Sequence, residues 1–143
     1  MRKFIRIIAL ASLPFLATAQ YTHDFAGCPA SETVLKDNPT PPFFGSSSDD
    51  LQNYFSEKLQ PILENQDPSG DLILTLVIEQ DGTPCLSGFT LEGEVRIEPN
   101  HIKNIVDGMQ GWQAARREDE SLTYTAKINL RFKGNKVVAR LAK

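Results

Sequence analysis

The stretch Asp71-Leu72-Ile73-Leu74-Thr75-Leu76-Val77-Ile78-Glu79 constrains this chain more than any other. Successive strand side chains point to opposite sides, so Leu72, Leu74, Leu76 and Ile78 share one face, and Ile73, Thr75 and Val77 the other. Both faces are apolar for most of the length, the pattern of a central strand rather than an edge. A run rich in Ile, Leu, Val and Thr between turn signals reads as strand, not as buried helix. Gly70 precedes it and Gln80-Asp81-Gly82-Thr83 follows, with Asp-Gly supplying the positive φ angles of a tight hairpin. A chain that contains such a strand has to build a sheet around it.

Residues 1–19 read as a secretory signal peptide. Arg2, Lys3 and Arg6 charge its front, Phe4 to Ala17 are mostly apolar, and Ala17-Thr18-Ala19 is a cleavage site before Gln20. The apolar stretch is shorter than the ~20 residues that span a bilayer, and Pro14 interrupts it. The expectation is a periplasmic protein with no stable membrane anchor of its own. The whole chain carries a net charge of −3, and three of its 15 basic residues lie in the leader, so the mature chain is more acidic still. That balance argues against nucleic acid or anionic lipid as a partner.

Cys28 and Cys85 are the two cysteines, and in an exported chain they pair as one disulfide tying the N-terminal arm to the hairpin. Two other uses stay open. A zinc site would take His23, His101 and both thiols, although their spacing matches no usual ligand pairing. A lipid anchor would use Cys28, because Phe25-Ala26-Gly27-Cys28 is similar to a lipobox, although Tyr21-Thr22-His23-Asp24 separates it from the apolar stretch.

Along the rest of the chain, residues 20–45 read as an irregular arm carrying Pro29, Pro39, Pro41 and Pro42. The folded domain is expected over residues 46–143. Ser46 to Asp50 start a helix with Leu51, Tyr54, Phe55, Leu59 and Ile62 on one stripe, and Pro61 ends or kinks it. Pro84 to Glu92 form the return strand, and Pro84 marks it as an edge. Pro99 opens a second helix with Ile102, Ile105, Val106 and Met109 on one face, capped by Gly111. Trp112 then points toward the sheet as core, and Arg116 to Glu120 read as a solvated charged loop.

Leu122 to Lys133 is the cleanest alternation. Leu122, Tyr124, Ala126, Ile128, Leu130 and Phe132 face inward; Thr123, Thr125, Lys127, Asn129, Arg131 and Lys133 face water. Gly134-Asn135 turns the chain into a short strand over residues 136–141, expected to cover the edge and to open at low cost. The element order fits the α+β class: a small antiparallel sheet of three to four strands with two helices packed on one face. Its expected core is Leu74, Leu76, Ile78, Ile102, Ile105, Val106, Met109, Trp112, Ile128 and Leu130.

Several of these tracts occur in a familiar order. Gly70-Asp71…Val77-Ile78-Glu79-Gln80-Asp81-Gly82, then Ile102…Ile105-Val106…Met109-Gln110-Gly111-Trp112, then Tyr124…Ile128-Asn129-Leu130-Arg131-Phe132 resemble the TonB C-terminal domain family. The lead-in Pro42-Phe43-Phe44-Gly45 is also similar. The resemblance implies a periplasmic domain that binds an extended receptor segment as an added strand beside its last long strand. It places the peptide-binding edge at Thr123, Thr125, Lys127, Asn129 and Arg131. The implied partners are outer-membrane TonB-dependent receptors or another envelope protein, with a homodimer as a further option. Neither a cofactor nor a metal is implied, and the chain reads as a binding protein rather than an enzyme. Three departures stand out. A spanning anchor and proline-rich spacer are not seen. The family's Tyr-Pro and Ala-containing turn before the first strand is reduced to the stretch from Gln60 to Ser69, near the receptor-binding end. Gln113-Ala114-Ala115 replaces the family's proline after the tryptophan. The alternative is a stand-alone structural or accessory domain that keeps the fold without receptor contact.

Overall fold

A computed structural model describes residues 20–31 and 38–142. The leader expected over residues 1–19 lies outside the described residues. In chain order the first elements are strands β1 (Gln20–Asp24) and β2 (Phe43–Phe44), then helix α1 (Ser48–Leu63). Strands β3 (Ser69–Ile78) and β4 (Pro84–Glu94) follow, then helix α2 (Pro99–Asp107). The chain continues as β5 (Trp112–Gln113), β6 (Ala115–Arg117), β7 (Glu120–Leu122), β8 (Tyr124–Lys133) and β9 (Lys136–Leu141).

The apolar run is β3, and it is central: the main sheet is antiparallel and five-stranded, in the order β1-β4-β3-β8-β9. The expectation of three to four strands is corrected upward because β1 comes from the supposedly irregular arm. It pairs with β4 from Gln20↔Glu92 to Asp24↔Gly88, so β4 is not an edge. Pro84 is tolerated because it is the first residue of β4, beyond the reach of β1, where the missing N–H would have no partner. Gly88 is what lets β1 dock. A Cβ there would lie 2.8 Å from Asp24 Oδ1 and 2.9 Å from the His23 carbonyl oxygen.

The β3–β4 turn differs from a two-residue hairpin. Glu79 and Thr83 close a three-residue loop, with the Glu79 N–H donating to Thr83 O at 2.9 Å. Only Gly82 adopts positive φ, at +87°. Asp81 instead accepts the Thr83 N–H at 2.9 Å, and that bond holds its carboxyl below the usual carboxylate range.

One face of the sheet makes the core. Leu72, Leu74, Leu76 and Ile78 of β3 and Ile128, Leu130 and Phe132 of β8 merge with Phe55 and Leu59 of α1 and Ile102 and Val106 of α2 in one buried cluster. Helix α1 lies mainly against β9 and α2 against β4. Burying each such side chain contributes about 1.5–3 kcal/mol, which is why the two stripes fix the helices' rotation. Every expected core residue is buried except Ile105, which stays half-buried at the rim. Its carbonyl accepts the Tyr54 hydroxyl, tying α1 to α2. Burial, with the Glu57 charge adding to it, raises the Tyr54 pKa and keeps that hydroxyl a donor.

Three boundary expectations change. Pro61 sits inside the last turn of α1, which runs on to Leu63 instead of stopping. Helix α2 ends at Gly108, whose N–H donates to Asn104 O, and Gly111 belongs to the link into β5. The charged loop over Arg116–Glu120 is a small hairpin, β6–β7, closed by Arg117↔Glu120.

The outer face of β3 is wetter than its composition suggests. Ile73 and Thr75 are half-buried, and Val77 is buried where Cys85 lies opposite it. Cys28 and Cys85 are disulfide-bonded. That pairing removes both thiolates from the zinc alternative and Cys28 from the lipid-anchor alternative. Among the described residues no helix is long and apolar enough to cross a membrane.

Candidate functional site

The site expected from the sequence is the edge of β8, and the structure divides it in two. Strand β9 pairs with β8 only from Ile128↔Leu141 to Lys133↔Lys136. Asn129 and Arg131 therefore stand opposite Arg140 and Val138 and offer no free edge, which corrects their place in the expected site. Arg131 also meets Asp71 at 3.1 Å. Thr123 falls in the gap between β7 and β8. Thr125 and Lys127 lie on the half of β8 beyond the end of β9.

Peptide groups along a strand alternate in direction, so one bond fixes the pattern. The Ala142 N–H donates to Lys127 O at 2.8 Å. The backbone groups of Thr125, two residues on, point to the same side. Among the described residues no strand pairs with Tyr124, Thr125 or Ala126 there. The Thr125 hydroxyl donates to Ser31 Oγ at 2.7 Å on the outer face, leaving its backbone out of that contact.

The open half of the edge, from Tyr124 to Lys127, lines a groove of about 640 Å³ together with Pro41, Pro42, Leu141 and Ala142. The proline wall is held from behind. Thr40 and Arg116 exchange both backbone bonds, at 2.8 and 3.0 Å, and β2 pairs with β5 through Phe43↔Gln113 and Phe44↔Trp112. Two consecutive prolines have no N–H to give, so this segment lies beside the edge without closing it. The unpaired start of β8, though not its wall, could have been foreseen from hairpin arithmetic. A two-residue turn at Gly134-Asn135 sets Leu141 opposite Ile128 and leaves the start of β8 uncovered.

The far edge of β9 is closed in a different way. The Ala139 N–H donates to Gln52 Oε1 at 2.6 Å, and Gln52 Nε2 donates to Val137 O. The carboxamide thus occupies the carbonyl of one residue and the amide two residues on, as a neighbouring parallel strand would. Edges blocked by such side chains resist unplanned pairing. Val137 and Ala139 are buried as well, so opening β9 exposes these two side chains besides breaking its bonds to β8 and Gln52. Replacing Gln52 by alanine leaves the part-buried Ala139 N–H unpaired and Val137 O with only the Ser56 hydroxyl at 3.5 Å, and should cost about 1–3 kcal/mol. Denaturant unfolding measures this, and light scattering should show added self-association through the bared edge.

The opposite edge belongs to β1. Its inward side chains form an aromatic group in which His23 lies 4.6 Å from Phe25 and 5.7 Å from Phe89, with Tyr21 at 6.0 Å from Phe89. His101 is exposed on α2, so the two histidines are on separate elements.

Comparison with family models, with curated proteins and with solved structures finds no match to this chain.

Proposed function

We propose that this chain is a periplasmic, non-catalytic protein-binding module that captures an extended segment of an envelope partner by adding it as a strand to β8. The observation that carries this reading is the uncovered half of β8 in its proline-walled groove. A segment entering there runs antiparallel to β8 and in line with β9, exchanging bonds with the outward N–H and C=O of Thr125. At about 3.3 Å per residue, Tyr124, Thr125 and Ala126 offer a slot of about 10 Å. Alternate side chains of the guest fall toward Tyr124 and Ala126 or toward the outer side beside Lys127. The resemblance to the TonB C-terminal domain family makes outer-membrane receptors the partners to try first, with transport of their cargo as the process served. The basic front, apolar stretch and Ala17-Thr18-Ala19 of residues 1–19 make removal of that leader the route to the periplasm in this reading.

The test uses synthetic peptides from the N-terminal segments of such receptors, followed by fluorescence anisotropy. Thr125→Pro removes the donor facing the slot without touching the bonds to β3. It should weaken peptide binding at least tenfold, the worth of about 1.4 kcal/mol of hydrogen bonding. Unchanged binding would sink strand addition at this edge. The second reading, an accessory domain that keeps the fold without receptor contact, is favoured by one observation: β9 already occupies Ile128 to Lys133. Under that reading no extended peptide binds either form.

A further inference from the structure

The acidic average of this chain hides a one-sided distribution. Between Tyr124 and Leu141 there are five cations and no Asp or Glu. Because the inward positions of β8 and β9 are apolar, alternation puts Lys127, Arg131, Lys133, Lys136 and Arg140 all on the outer face. All five are exposed.

Their arrangement works against the fold. Lys133 stands directly opposite Lys136, and Arg131 is the diagonal neighbour of both Lys136 and Arg140. Like charges opposed across a sheet destabilise it. Asp71 engages Arg131 from β3, and Asp67 lies near the turn at Gly134. The other four cations have no ion pair among the described residues. Amid them Val138 is exposed, and a recess of about 260 Å³ opens between Asn129, Arg131, Lys133, Val138 and Arg140.

We infer that this face docks on a bilayer surface carrying anionic phosphate headgroups. The outer side chains of β8 and β9 at Lys127, Arg131, Lys133, Lys136, Val138 and Arg140 are exposed, and the backbone bonds beneath them lie in the plane of the sheet, so this face offers a bound peptide no backbone partners. What it offers is a two-dimensional array of cations at strand spacing, with one apolar side chain at its centre. That complements a headgroup layer, in which one phosphate can seat in the recess and others lie within reach of the remaining cations. Net charge argues against such a partner only if charge is spread evenly, and here it is not. The inference stands apart from peptide capture, since the open edge of β8 lies in the plane of the sheet and this surface lies across it.

Flotation of the purified, cell-processed protein with vesicles tests it. Vesicles mixing phosphatidylglycerol with phosphatidylcholine should carry the protein upward, vesicles of phosphatidylcholine alone should not, and added salt should release it. Each cation removed should lower the partition about fivefold, so Lys133→Gln combined with Arg140→Gln should weaken it more than tenfold. An unchanged unfolding midpoint verifies that this variant is folded. Should it fail to fold, Lys136→Gln alone serves the same comparison. Equal partition into both vesicle types, or binding that the substitutions leave unaltered, overturns the inference. So does association with polyglutamate, or with inorganic phosphate, in protein that ignores the anionic vesicles.

Discussion

Reducing the Cys28–Cys85 disulfide should lower the stability of this domain by about 4 kcal/mol. The two cysteines are 57 residues apart, and in the chain-entropy account closing a loop of that length removes that much freedom from the unfolded chain. Against a total on the order of 5–15 kcal/mol the loss is large. The loop encloses α1 and β3, so the constraint acts on the unfolded state of the central strand itself. In the folded state it has a local effect. Strand β1 is held by its pairing to β4, by the Phe25 N–H donating to Ser87 O, and by Cys28 just beyond. Opening the bond should therefore free β1 before the rest of the sheet. Urea unfolding with and without reductant gives the magnitude, and hydrogen exchange should show Tyr21 and His23 losing protection first. A midpoint that stays put after confirmed reduction would show that the pairing adds nothing.

Local pattern carried most of the fold. The doubly apolar run of β3, the strict alternation of β8 and the two helix stripes each report burial directly, because side-chain period follows backbone geometry. What the pattern missed was pairing over long sequence distances. Tyr21, His23 and Phe25 do alternate with Thr22 and Asp24, but prolines downstream made the whole stretch read as irregular. The complementary signal was Gly88, which reads as a flaw in β4 until β1 is seen 2.8–2.9 Å from where its Cβ would be. Pro84 misled for a related reason: it marks a place without a partner, and that place is the first residue of a strand that is otherwise interior.

The site was half legible. The resemblance directed attention to the outer edge of β8, and the turn at Gly134-Asn135 announced the strand that covers part of it. The groove was not legible, because its proline wall depends on Thr40 meeting Arg116 and on Phe44 meeting Trp112. Those contacts join segments that have no periodicity of their own. The basic face was present in the sequence as uninterrupted cations at alternate positions. A single net charge for the chain averaged it away.

Trp112→Ala should cost about 3–5 kcal/mol. The ring is 6 % exposed, sits 5.3 Å from the ring of Phe44, and through Phe44 reaches Tyr54 of α1 at 5.6 Å. It therefore joins the arm, the first helix and the core at one point, and truncation loosens all three. Two features set where in that range the value falls. A groove of about 280 Å³ lies alongside, lined in part by Phe43, Leu51, Trp112 and Leu141, so water can enter the space that the indole leaves. That relief lowers the cavity penalty and points to the lower end. The indole Nε1 is buried with no hydrogen-bond partner among the described residues. An orphan donor costs about 1–3 kcal/mol in desolvation. Trp112→Phe deletes that donor while keeping a ring against Phe44, so it should be far milder than the alanine change and close to neutral. Urea midpoints for the two variants measure the contrast. If the phenylalanine variant lost as much as the alanine variant, the N–H would have a partner that stabilises the fold. If neither moved the midpoint, the ring would lie on the surface, where it would serve binding rather than the core.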